Sequence, residues 1–138
     1  MIGESTSVAE YAANDEERAR LSLLQCEMVY RLDRIRGEGT QIWVELTRLP
    51  AALFPNLQIP VPRIADLAEN YGLKLGEALE NVCASAASAD IAKALGVSQG
   101  TLLMMSDRIV YLRNGCPAEW RRTFKSDQEN LARLIARL

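Results

Sequence analysis

The sequence predicts an α+β fold, an antiparallel β-sheet flanked by helices and duplicated within one chain. Three observations predict it. Asp33-Arg34-Ile35 followed by Glu45 recurs as Asp107-Arg108-Ile109 followed by Glu119, at an offset of 74 residues and with the same eleven-residue Arg-to-Glu interval. At that offset Ala13 also matches Ala87, Leu21 matches Leu95, Leu23 matches Val97 and Val29 matches Leu103. Asn114-Gly115 between two β-rich runs is the strongest short-range hairpin signal a sequence can carry. Finally, the chain has no βαβ rhythm, glycine-rich phosphate loop or low-complexity tract, which leaves hairpins with separate helices.

Taken in order, residues 1–7 are small and polar and are expected to fray. Val8 to Tyr11 begins a strand. Asn14 is placed to cap a helix with Glu16 and Glu17 in its first turn, where carboxylates complement the helix dipole. That helix should end near Leu21 or Leu23. Met28 to Arg36 alternates and reads as a strand, with a turn at Gly37 to Thr40 and a return strand from Gln41 to Thr47. Leu49-Pro50 is expected to end the pairing, because proline has no amide to donate. The proline-rich stretch Ala51 to Pro62 reads as a loop or single helical turn. Ile64, Leu67, Ala68 and Tyr71 have helical spacing, with Gly72 as the stop.

Leu73 to Ala86 is ambiguous. Its Ala, Glu and Leu favour helix by propensity, yet it shows no clean helical stripe. Ser88 then caps a helix from Ala89 to Leu95, stopped by Gly96. Thr101 to Leu112 and Cys116 to Phe124 form the second hairpin. Asp127 to Leu138 closes the chain as an amphipathic helix with Leu131, Leu134, Ile135 and Leu138 on one face.

A length of 138 residues suits one domain with one core. The net charge of −2 argues against a general nucleic-acid-binding surface. No apolar run reaches the ~20 residues of a membrane span, and no signal-peptide pattern is present, so no membrane partner and a cytoplasmic location are expected. Cys26, Cys83 and Cys116 are scattered and odd in number, which favours buried, reduced thiols. With no histidine in the chain, histidine triads, histidine metal sites and imidazole proton shuttles are excluded. No catalytic residue, metal or cofactor is therefore expected.

One constellation could bind a small molecule. In a hairpin turning at Asn114-Gly115, cross-strand partners sum to 229, so Glu119 faces Val110 with Arg108 diagonal to it. The same register mapped onto the first copy makes partners sum to 81, placing Glu45 opposite Arg36 with Arg34 diagonal. An Arg/Glu pair across a hairpin is ordinarily solvated and contributes about 0–1 kcal/mol. Arg34 and Arg36 together are different, because one Glu cannot satisfy two guanidinium groups and a ligand carboxylate or phosphate would. Arg108 lacks a second arginine beside it, since Val110 stands where Arg36 does, and reads as a structural partner. Trp43 and Trp120 are expected on the faces opposite the two carboxylates, as core or interface aromatics. Met104 and Met105 read as core filler. Arg121-Arg122 reads as a solvated strand edge.

The residues Val29-Tyr30-Arg31-Leu32-Asp33-Arg34-Ile35-Arg36, Glu45 and Leu49-Pro50-Ala51-Ala52-Leu53-Phe54-Pro55-Asn56-Leu57 begin a longer run. It continues with Tyr71-Gly72, Ala92-Lys93-Ala94-Leu95-Gly96-Val97, Asp107-Arg108-Ile109-Val110-Tyr111 and Asn114-Gly115-Cys116-Pro117-Ala118-Glu119. In this order the chain resembles the UTRA domain, the effector-sensing module of HutC-type regulators in the GntR family, over nearly its whole length. The resemblance implies a chorismate-lyase-like fold, homodimers, and a strand rather than a helix over Leu75 to Ala86, which we adopt. It implies a small anionic metabolite as partner, and contact with DNA through an upstream winged-helix domain absent from this chain. It also implies a ligand-binding set of Arg34, Arg36, Glu45 and Glu119. Relatives that sense sugar phosphates add a Ser-x-Tyr where this chain has Pro62 and Ile64, so Arg63 is a candidate for the lost anion contacts. Two other functions stay open: a chorismate-lyase-like enzyme acting on a small cyclic acid, and a dimerisation module with a vestigial pocket.

Overall fold

The computed structural model describes residues 8–137. Its strands are β1 (Glu10–Ala12), β2 (Met28–Glu38), β3 (Gln41–Pro50), β4 (Leu75–Ala86), β5 (Leu102–Leu112) and β6 (Pro117–Lys125). Its helices are α1 (Asp15–Leu21), α2 (Ile64–Asn70), α3 (Ala89–Leu95) and α4 (Gln128–Ala136), with a single 3-10 turn at Ala51–Leu53. The strands form one antiparallel sheet in the order β1-β2-β3-β6-β5-β4. No helix among the described residues is long and apolar enough to cross a membrane. The frayed segment expected at residues 1–7 lies outside the described residues, as does Leu138.

The duplication is exact for one helix and one strand of each half. Adding 74 turns Asp15–Leu21 into Ala89–Leu95 and Met28–Glu38 into Leu102–Leu112. Both helices start on a side-chain cap. Asn14 and Glu17 form a reciprocal capping box, and Ser88 Oγ accepts from the Ile91 amide at 3.4 Å. Helices α1 and α3 cover one face of the sheet. There Val44 and Leu103 pack with Ala87, Ile91 and Ala92, and Val29 and Trp120 pack with Ala13 and Leu21. On the opposite face α2 and the 3-10 turn cover Tyr30, Leu32, Leu49 and Val110 through Phe54, Ile64 and Leu67.

Several expectations need correction. The return strand runs past Thr47 to Pro50, which sits opposite Val29 and ends the pairing as expected, beyond the last β3–β6 partner, Arg48 with Trp120. The first hairpin closes over Gly39-Thr40, with Glu38 opposite Gln41, so its partners sum to 79 rather than 81. The second hairpin is two residues longer. Its Leu112 amide bonds the Cys116 carbonyl at 2.8 Å, and Val110 faces Glu119 as expected. The three cysteines are exposed rather than buried. In α4 Leu131 is buried, whereas Ile135 is 42% exposed and does not share its environment. The segment Leu75–Ala86 is the strand adopted from the resemblance, not the helix its composition favours.

Candidate functional site

Cross-strand register places the candidate residues on the sheet face that carries α2. Near α2 that face is apolar; farther along it turns polar. One row across the sheet reads Leu32, Thr47, Arg121 and Arg108. The next reads Arg34, Glu45, Thr123 and Ser106, and the one after it Arg36, Trp43, Lys125 and Met104. Strand residues two apart share a face, so these rows form one surface contributed by four strands.

In the first half, the 79-sum register puts Glu45 directly opposite Arg34 and makes Arg36 the diagonal neighbour, the reverse of the expected arrangement. Arg36 Nε lies 3.7 Å from Glu45 Oε1. Arg34 Nη1 donates to the Val61 carbonyl at 3.3 Å, tying β2 to the segment that leads into α2. Trp43 is not on the opposite face. It stands two residues from Glu45 on the same strand, and its Nε1–H donates to Glu45 Oε2 at 3.0 Å. Glu45 keeps 14% of its side chain exposed, enough to accept a further bond from a ligand.

In the second half, Glu119 is only 2% exposed, and both of its oxygens are engaged. Arg108 Nη2 donates to Oε1 at 2.7 Å and Arg121 Nη2 donates to Oε2 at 3.1 Å. The structural pairing expected of Arg108 is thus observed. Arg121 and Arg122 do not lie on a sheet edge, because β6 is central, between β3 and β5. They point to opposite faces, Arg121 toward Glu119 and Arg122 toward Asp107 and Glu16. Trp120 does lie on the face away from Glu119, donating to Asp107 Oδ1 at 2.9 Å.

Arg63 is exposed at the N-cap of α2, two residues after Val61, and has no ion pair among the described residues. Ile64 is committed to the core and cannot contribute to a site. Sequence reasoning missed Ser106, Arg121, Thr123 and Lys125 as members of this face. The signal was available, since Glu119, Arg121, Thr123 and Lys125 alternate along one strand. A second cleft, of about 610 Å³, opens beside β1, lined by Glu10, Glu27, Tyr30 and Asn56 among others. Its ionisable lining includes carboxylates and no arginine, so it does not suit an anion. Among the described residues no group of three or more His, Cys, Asp or Glu side chains could hold a metal ion.

This arrangement is suited to binding: arginines fit a planar anion, a part-exposed carboxylate can accept from hydroxyl or amine donors, and hydroxyl groups stand between them. The family model of the UTRA domain matches residues 3–127. Among solved structures, a ligand-binding domain from Bordetella bronchiseptica, assigned to a GntR-family transcriptional regulator, is 26% identical with a TM-score of 0.79. That match covers 88% of this chain and 81% of the other. A GntR-family transcriptional regulator from Enterococcus faecalis V583 is 23% identical with a TM-score of 0.78, covering 87% of this chain and 89% of that one, and shares the fold. PhnF from Mycobacterium smegmatis, 19% identical with a TM-score of 0.75, shares the fold as well; the match covers 87% of this chain but 55% of PhnF.

Proposed function

The chain belongs to the UTRA domain family, and on that footing we propose that it is the effector-sensing domain of a GntR-family transcription regulator of the HutC type. A small anionic metabolite is its ligand. Arg34 and Arg36 grip the anionic group, with Arg63 at the rim, and Glu45 accepts hydrogen bonds from the ligand's hydroxyl or amine groups. Glu119 enters through the arginines it holds, because its own oxygens are taken. DNA is contacted by an upstream winged-helix domain, and the sensing domain forms homodimers.

The observation that carries this reading is Arg34 and Arg36 on one face beside the half-buried carboxylate of Glu45. An anion bound there would compete with Val61 for Arg34, and so act on the link between β2 and α2. A ligand with differential affinity for two arrangements of that link shifts their populations, which is what a sensor requires.

The test is a thermal-shift screen of phosphorylated sugars and carboxylic acids. At a concentration of about 100 Kd a true ligand adds roughly 2.7 kcal/mol of stability, or about 8 °C in Tm for a domain of this size. Arg34→Ala should abolish that shift at the same concentration; a full shift in the variant removes Arg34 from the site. Incubation with chorismate separates sensing from lyase chemistry, and release of an aromatic product would favour the enzyme.

A further inference from the structure

We infer that the ligand carries two separate anionic groups, and that the second is held by β5 and β6 through Arg108, Arg121, Lys125 and the hydroxyls of Ser106 and Thr123. This rests on the sensing function proposed above and names the ligand class for the same face.

Three features of the second half point there. Arg108 and Arg121 both draw on one carboxylate, Glu119, while Glu45 on the neighbouring strand is engaged by Trp43 and Arg36. Lys125 is half-buried and has no ion pair among the described residues. Glu80 stands opposite Arg108 in the β4 register but is exposed and makes no ion pair with it. Next, Glu119 takes one Nη2 from each arginine, and the Nε–H of Arg108 and of Arg121 stays buried with no acceptor among the described residues. Buried donors without acceptors are uncommon and costly, by about 1–3 kcal/mol each. The two side chains keep 28% and 20% of their surface open, so an anion can reach the same guanidinium groups from the groove. Lastly, Ser106 and Thr123 face each other directly, between these cations and Glu45. Hydroxyls beside guanidinium and ammonium groups supply the donors an oxyanion uses.

The two anchors are continuous yet distinct. Strand β2 carries Arg34 and Arg36, and β6 lies two strand spacings away, roughly 10 Å at the backbone. One phosphate or carboxylate held by Arg34 and Arg36 therefore leaves Arg108, Arg121 and Lys125 with Glu119 as the carboxylate that pairs with them. A bisphosphate or dicarboxylate serves both.

Matched probes test this: fructose 6-phosphate against fructose 1,6-bisphosphate, and hexanoate against adipate, each titrated calorimetrically into wild type, Lys125→Gln, Thr123→Val and Arg34→Ala. In wild type at least one probe with two anionic groups should bind about tenfold tighter than its partner with one. Lys125→Gln and Thr123→Val should reduce that ratio toward one while leaving the weaker probe unchanged. Both substitutions keep the Glu119 ion triad, so the fold is preserved. Equal affinities within both pairs in wild type, equal losses for both members in the variants, or no binding of any probe would overturn the inference. Arg34→Ala should weaken both members of a pair. If it weakens neither while Lys125→Gln does, the second anchor stands and the first-half reading fails.

Discussion

Glu17 shows how individual side chains hold the domain together. It is 2% exposed, yet Arg31 donates to it through Nε and Nη2 at 2.8 Å each, Arg48 through Nε at 3.0 Å, and the Asn14 amide at 2.9 Å. Burial on its own would raise the pKa of this carboxyl. The Arg31 bonds, the Asn14 amide and the charges of Arg31 and Arg48 outweigh it and hold the pKa below the ordinary 4.5. A folded-state pKa below the unfolded one contributes stability that is present above the unfolded value and lost as pH falls through the folded value. Urea midpoints should therefore drop on acidification below about pH 4.5, and Glu17→Gln should lack this component. The same variant should cost about 3 kcal/mol at neutral pH, because it leaves two arginines facing a neutral amide. Glu17 was visible in the sequence only as a first-turn carboxylate. Its partners Arg31 and Arg48 lie 14 and 31 residues away, beyond any helical spacing.

Strand β4 makes the corresponding point for elements. Nearly all of its residues are exposed on both faces, because it is the outer strand beyond β5. A strand with neither face covered needs no alternation, so the usual period-two signal is weak and Ala and Glu dominate. Pairing with β5 from Ala78 to Ala86 overrides that helical propensity. At its start the register shifts between Leu75 and Ala78, and Gly76 sits against the second hairpin. A Cβ there would lie 2.9 Å from the Leu112 carbonyl oxygen and 3.1 Å from the Arg113 Cα, both backbone atoms that cannot swing aside. Gly76→Ala should cost about 1–3 kcal/mol in chemical denaturation, with the loss read at constant m. A neutral substitution would mean that β4 and the hairpin can part freely. The helices, by contrast, were legible in the sequence, because Asn14, Ser88, Gly72 and Gly96 mark their ends chemically.

At the scale of the molecule, duplication and asymmetry coexist. Thr47 and Arg121 are equivalent at the 74-residue offset, and they pair directly where β3 meets β6, so the pseudo-twofold axis runs through them. The ion pair Asp33–Arg48 at 2.7 Å recurs at that offset as Asp107–Arg122 at 3.0 Å on the helix-covered face formed with α1 and α3. That pair, rather than Arg…Glu, is the interaction conserved between halves. The Arg…Glu interval is eleven residues in both, but the two-residue difference in the turns sets Arg34 opposite Glu45 and Arg108 opposite Arg121. The repeat was legible in the sequence. The difference in register was not, because it lies in turn length, which the offset cannot reveal.

The central claim is that ligand binds the face carrying Arg34, Arg36 and Glu45, and the chain's two tryptophans report on it directly. Trp43 Nε1–H bonds Glu45 on that face, and Trp120 Nε1–H bonds Asp107 on the other. In the ¹⁵N-labelled chain, titration with an anionic ligand that stabilises it should move the Trp43 indole resonance and leave that of Trp120 in place. Movement of the Trp120 indole alone, or of neither, would contradict the account.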